Sequence, residues 1–200
     1  MKLSKKTITT ALAFVLAICA AVGGTMAWLT AESTDVKNTF TIGDITITLD
    51  ESAANTGNDM EVDYHFVPGD TIARDPRVTV NADSEANYLF INVTEKNNTI
   101  AGLSGDVLTY GIDSSIWTLV SGTDTLYYTT VSQSDAEAGK TFVILTDDEV
   151  NVNEDITKDM VTVINTAATK PEIDFDAFAH QSKNTDLNTA TEAAKGHFGL

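Results

Sequence analysis

His65, His180 and His197 are the only imidazoles in this chain of 200 residues, and Cys19 is its only thiol. A metal hydrolase needs clustered histidines, typically two on one helical face with a carboxylate between them. None of the three belongs to such a cluster, so they read as incidental. Serine catalysis would want a strained Gly-x-Ser-x-Gly turn, which does not occur, and no glycine-rich phosphate loop is present. Oxygen-ligand chemistry has one better candidate: Asp147-Asp148-Glu149 with Asn151, Asn153, Glu154 and Asp155 following. Ligands at alternate positions there could hold Ca²⁺. The stretch lacks both the glycine of a sharp loop and a properly spaced closing glutamate, so the expectation is a solvated loop over Asp147–Lys158. Asp75, Asp83 and Asp113 are weaker candidates still. The residue types therefore predict no catalytic residues, no resident metal and no cofactor beyond a Ca²⁺ ion at acidic loops.

The chemistry that can be read lies at the N-terminus. Lys2, Lys5 and Lys6 precede the apolar run Ala11–Val22, and Gly23, Gly24 and Thr25 lead to Ala27. A basic start, a short apolar stretch and a small-x-small exit make a secretory signal peptide, here over 1–27, with cleavage between Ala27 and Trp28. The run is short for a membrane span, which takes about 20 apolar residues. The uncleaved alternative is a membrane anchor. A lipobox at Leu16-Ala17-Ile18-Cys19 fits poorly, because Ile18 is large and Cys19 lies inside the apolar run. Cleavage removes three lysines, no acid and the only cysteine, taking the formal charge from −17 to −20. A disulfide-free mature chain must be stabilised by a packed core. Without a basic cluster after residue 6, nucleic acid is not expected as a partner, anionic membrane surfaces are disfavoured, and membrane contact is limited to the signal peptide.

The elements after Ala27 read as β. Phe40 and Ile42 share one parity; Ile45, Ile47 and Leu49 share the other, with Gly43-Asp44 as the bulge or turn between. Val62–Val67 runs into the Pro68-Gly69-Asp70 turn. Val78 and Val80 begin an alternating strand, Asn81–Asn87 is turn-like, and Tyr88-Leu89-Phe90-Ile91 is apolar on both faces. Ile116–Val120 and Leu126–Val131 flank a hairpin turn, and Thr141–Leu145 and Met160–Ile164 are read as further strands. Ile173, Phe175, Ala177 and Ala179 alternate with Asp174 and Asp176. Thr189–Lys195 is expected to form a short terminal helix capped by Asn188 or Thr189. Asn55–Asn58 reads as a loop. The sum is an all-β, single-domain, jelly-roll-like β-sandwich over 43–200, with a signal helix before it and an N-terminal extension at 28–42.

Several pieces occur in an order that resembles the TasA/camelysin-like family: Gly23-Gly24-Thr25-Met26-Ala27-Trp28-Leu29-Thr30, Asn38-Thr39-Phe40-Thr41-Ile42-Gly43, Val67-Pro68-Gly69-Asp70-Thr71-Ile72 and Asp75-Pro76-Arg77-Val78-Thr79-Val80. Trp117-Thr118, Tyr127-Tyr128 and Asp176-Ala177-Phe178-Ala179-His180-Gln181 are also similar to recurrent pieces of such proteins. The resemblance implies export by a Gram-positive cell through a SipW-type signal peptidase. It further implies a jelly-roll subunit of extracellular biofilm-matrix fibres. In those fibres the N-terminal segment of one subunit completes a sheet of the next. Here the donor would be Trp28–Ile42, with Trp28, Leu29, Val36, Phe40 and Ile42 as apolar anchors; the other reading is a flexible leader or pairing within its own subunit. The implied partners are further copies of the chain, head to tail, and an accessory matrix protein. Camelysin-like members are described as metalloproteases, but with no zinc-binding helix here that chemistry is not carried over. The alternative is a non-polymerising surface-associated module that binds through its loops.

Overall fold

The computed structural model describes residues 44–51, 66–165 and 170–200. The signal peptide, its Ala27–Trp28 junction, the donor anchors Trp28, Leu29, Val36, Phe40 and Ile42, the Asn55–Asn58 loop and His65 lie outside these residues, as does most of Val62–Val67. Among the described residues ten strands and three α-helices follow in chain order: β1 (Ile47–Asp50), β2 (Thr71–Ala73), β3 (Arg77–Val80), β4 (Asn87–Lys96), β5 (Leu108–Thr109), β6 (Thr118–Leu119), β7 (Leu126–Val131), α1 (Gln133–Ala138), β8 (Lys140–Val143), β9 (Glu149–Val152), α2 (Lys158–Ile164), β10 (Glu172–Gln181) and α3 (Leu187–Phe198). Every strand pairing is antiparallel. The strands form three sheets, ordered β1-β3-β8, β10-β4-β7-β6 and β2-β9-β5. The fold is all-β in class, with few helices.

Alternation decides which side chains meet. Val78 and Val80 of β3, Leu89, Ile91 and Val93 of β4, Phe142 of β8, and Val150 and Val152 of β9 gather in one core with Trp117, Ile144 and Leu145. The opposite parity of β4 serves a second core, where Phe90 meets Leu126, Val120, Ala190 and Ala194. Strand β4 is thus buried on both faces, as its uninterrupted apolar run requires. The helix that covers its outer face is α3.

The turns follow their expected chemistry. Gly69 takes φ +84° in the Pro68-Gly69-Asp70 turn, where the Asp70 N–H donates to the Val67 carbonyl at 3.1 Å. In the β6–β7 hairpin the Val120 N–H donates to the Leu126 carbonyl at 2.8 Å.

Three expectations are corrected. Met160–Ile164 is helical, within α2, although Val161, Thr162, Val163 and Ile164 favour strands. Thr157 caps this helix, its Oγ1 accepting from the Met160 N–H at 3.4 Å. Only Ile164 is fully buried, so no pleated surface competes for the other β-branched side chains. The span Asp147–Lys158 is not one loop: it holds the end of a 3-10 turn (Thr146–Asp148) and strand β9, whose Val150 and Val152 are core residues. The terminal helix begins earlier and ends later than 189–195. Its cap is Asp186, whose carboxylate accepts from the Thr189 N–H at 2.8 Å.

Candidate assembly surface

The candidate surface is built from strands that end a sheet. Among the described residues β10 is the edge of the four-stranded sheet and the longest edge of the three, ten residues against two in β6. Its inward parity is Ile173, Phe175, Ala177 and Ala179, which pack on the main core. Its outward parity runs Glu172, Asp174, Asp176, Phe178, His180, acidic at one end and aromatic at the other. An edge of this length exposes a row of backbone donors and acceptors and is a template for another strand.

The second edge is β1. Val78 and Val80, on the neighbouring β3, are fully buried, whereas Ile47 and Leu49 on β1 are only half-buried. Among the described residues β1 ends its sheet and also lies close to β10 of the neighbouring sheet, and Ile47 and Leu49 keep part of their apolar surface exposed there. One ion pair ties this side together. Arg74, just beyond β2, donates to both carboxylate oxygens of Glu51, just beyond β1, at 2.9 and 2.7 Å. Its guanidinium also lies 5.7 Å from the ring centre of Phe175 on β10. The carboxylate is buried, and a bidentate arginine suits such a site.

At the aromatic end the structure brings together two of the three histidines. His197 of α3 stacks on Phe178 at 4.7 Å between ring centres, while His180, two residues along β10, lies 6.4 Å from the same ring. Phe198 meets Phe178 edge-on at 6.3 Å. The sequence separates these groups; the return of α3 onto the edge strand unites them. The i, i+2 relation of Phe178 and His180 was readable from alternation, but the approach of His197 had no sequence signal.

Part of the acidic stretch is engaged in structure. Asp147 and Asp148 adopt positive φ, 60° and 54°, and Asp148 lies 3.5 Å from Arg77. Asn151 accepts from the Thr71 hydroxyl at 2.8 Å, and Asn153 donates to the Ser104 and Asp106 carbonyls. Asp75 pairs with Arg77 at 3.2 Å, and Asp113 accepts from the backbone and hydroxyl of Ser115. Asp83 has a φ of 64° in the turn before β4. Among the described residues no three His, Cys, Asp or Glu side chains gather as a metal would need.

Other charged groups staple elements. Hydrogen bonds from Lys96 to Asp174 and Glu172 join β4 to β10 and push the Lys96 ammonium up from its ordinary value. Burial, and then a 2.5 Å hydrogen bond to Glu95, raise Tyr110 well above the ordinary phenol range. A groove of about 530 Å³ lies between α2 and the loop after β4, with Ile100, Met160, Val163 and Ile164 in its wall and Asn97, Thr157 and Asp159 also lining it. Among the described residues no helix is long and apolar enough to cross a membrane. The chain matches no family model, no curated protein and no solved structure.

Proposed function

We propose that this chain is a secreted, non-enzymatic structural protein of an extracellular matrix or cell surface, a jelly-roll-like β-sandwich that self-assembles into fibres by donor-strand addition. The observation that carries the reading is the half-buried pair Ile47 and Leu49 on the edge strand β1, beside the fully buried Val78 and Val80. A neighbour's Trp28–Ile42 segment supplies what that edge lacks: backbone groups for the ladder and alternate apolar side chains for the core. The export signal at 1–27 and the TasA/camelysin-like pieces quoted above support the same reading, with a SipW-type peptidase acting at Ala27–Trp28. Strong acidity keeps unassembled subunits apart in solution.

Electron microscopy of residues 28–200, beside a chain that starts at Thr39, tests it. Filaments from the longer chain alone are the expected result. Monodisperse monomers from both, across pH and days of incubation, overturn it. The rival reading, a surface module that binds through its loops, draws on the groove beside Ile100 and Met160. It requires a mature chain that stays monomeric whatever is done to its N-terminus.

A further inference from the structure

The edge strand β10 is nearly self-complementary about Phe178. Reading outward from that residue, Ala177 answers Ala179 and Asp176 answers His180. In an antiparallel pair formed by a two-fold axis, residue and partner positions mirror each other about the axis. Centring that axis on Phe178 places Asp176 of each copy opposite His180 of the other, twice. Ala177 then faces Ala179 on the inner side, where small side chains let two edges close without a clash. Phe178 meets its own counterpart on the outer side. The acidic half of the strand never meets itself: β10 ends at Gln181, which falls opposite Phe175, so Asp174 and Glu172 lie beyond the paired span.

The competing registers are worse. Parallel in-register pairing stacks Asp174 on Asp174 and Asp176 on Asp176. Sliding the axis to Asp176 sets two aspartates face to face, and like charges directly opposite destabilise a strand pair. Natural proteins blunt long edges with lysine, proline, a bulge or an inward-pointing charge. Strand β10 has no lysine or proline, and it pairs with β4 without interruption over all ten residues.

We infer that a second copy of this chain docks on β10, edge to edge and antiparallel about Phe178, joining two four-stranded sheets into one of eight. This contact is isologous, so it goes beyond the head-to-tail donor-strand reading and uses a different edge.

Charge reversal in the mature chain, residues 28–200, tests it, with association measured by sedimentation velocity over a concentration series. His180→Asp alone sets aspartate against aspartate and is expected to weaken the dimer by about tenfold or more. Asp176→Lys alone removes the acid from both pairs and is expected to weaken it too. The double variant Asp176→Lys/His180→Asp sets lysine against aspartate and is expected to recover the dimer. Circular dichroism on each variant separates lost pairing from lost folding. A mature chain monomeric at all concentrations overturns the inference, as does a dimer indifferent to the single changes or not recovered by the double. Filaments lengthening without this dimer leave the donor-strand reading standing and remove this one; the dimer without filaments does the reverse.

Discussion

At the residue scale, the Arg74–Glu51 pair is the most consequential contact on the β1 side of the core. Removing one partner of a buried ion pair leaves the other charged and desolvated, which costs more than the pair itself contributes. Arg74→Ala is therefore expected to destabilise the protein by on the order of 3 kcal/mol. The measurement is urea unfolding, with a lower midpoint and an unchanged slope; an unchanged midpoint would show that the Arg74–Glu51 contact adds nothing to stability. Tyr110 makes a pH prediction. Its phenol is raised by burial and by its bond to Glu95, so the folded state holds the proton more tightly than the unfolded chain does. That contribution is complete below the unfolded phenol value near 10 and is lost as pH rises through the folded value. Alkaline unfolding above about pH 10 should therefore be steeper in the wild type than in Tyr110→Phe. Equal alkaline limbs would mean that Tyr110 ionises freely.

At the element scale, what the sequence could reveal was parity, and what it hid was context. The alternation of β1, β3 and β10, and the two-faced burial of β4, follow directly from side-chain order. Helix α2 was hidden because Val161-Thr162-Val163-Ile164 has strand propensity, and the Thr157 cap that outweighs it is a single hydroxyl. Thr157→Ala should then cost about 1 kcal/mol. Amide exchange along 158–164 checks this, since faster exchange confined to that helix is the signature of a lost cap. Strand β9 was hidden by its flanking acids, which look like loop residues until Val150 and Val152 are seen in the core. The candidate surface was legible only in part, since periodicity gives each strand's faces but not its neighbours. Only the sheet order revealed β10 as an edge. Helix α3 explains why its small residues matter. Ala190 and Ala194 are fully buried against the outer face of the four-stranded sheet, one turn apart. Ala194→Leu is expected to cost about 1–3 kcal/mol through overpacking, read as a fall in thermal midpoint. A neutral result would mean that α3 can lift from Phe90.

At the scale of the whole molecule, charge opposes any assembly of this chain. The proposed mature subunit, residues 28–200, carries a formal −20, so bringing copies together costs repulsion that no single contact offsets. Salt acts on that cost directly: the screening length falls from about 30 Å at 0.01 M to about 8 Å at 0.15 M. Filament growth of residues 28–200 is therefore expected to accelerate as sodium chloride rises over that range. Lowering pH toward the carboxylate range should act in the same direction, by neutralising the charge instead of screening it. Calcium separates screening from binding. The side-chain oxygens of Asn151 and Asn153 already accept from the Thr71 hydroxyl and the Asp155 N–H, and one carboxylate oxygen of Asp148 pairs with Arg77 while the other is buried with no partner among the described residues, so an ion in that stretch would compete with these contacts. Calcium chloride and sodium chloride compared at equal ionic strength should then give similar growth, apart from the modest advantage of a divalent counterion. Growth that requires calcium and saturates at a fixed ratio of ion to subunit would refute the screening account. It would require the acidic loops to rearrange around a bound ion, releasing the Asn151 oxygen from Thr71 and the Asn153 oxygen from the Asp155 N–H.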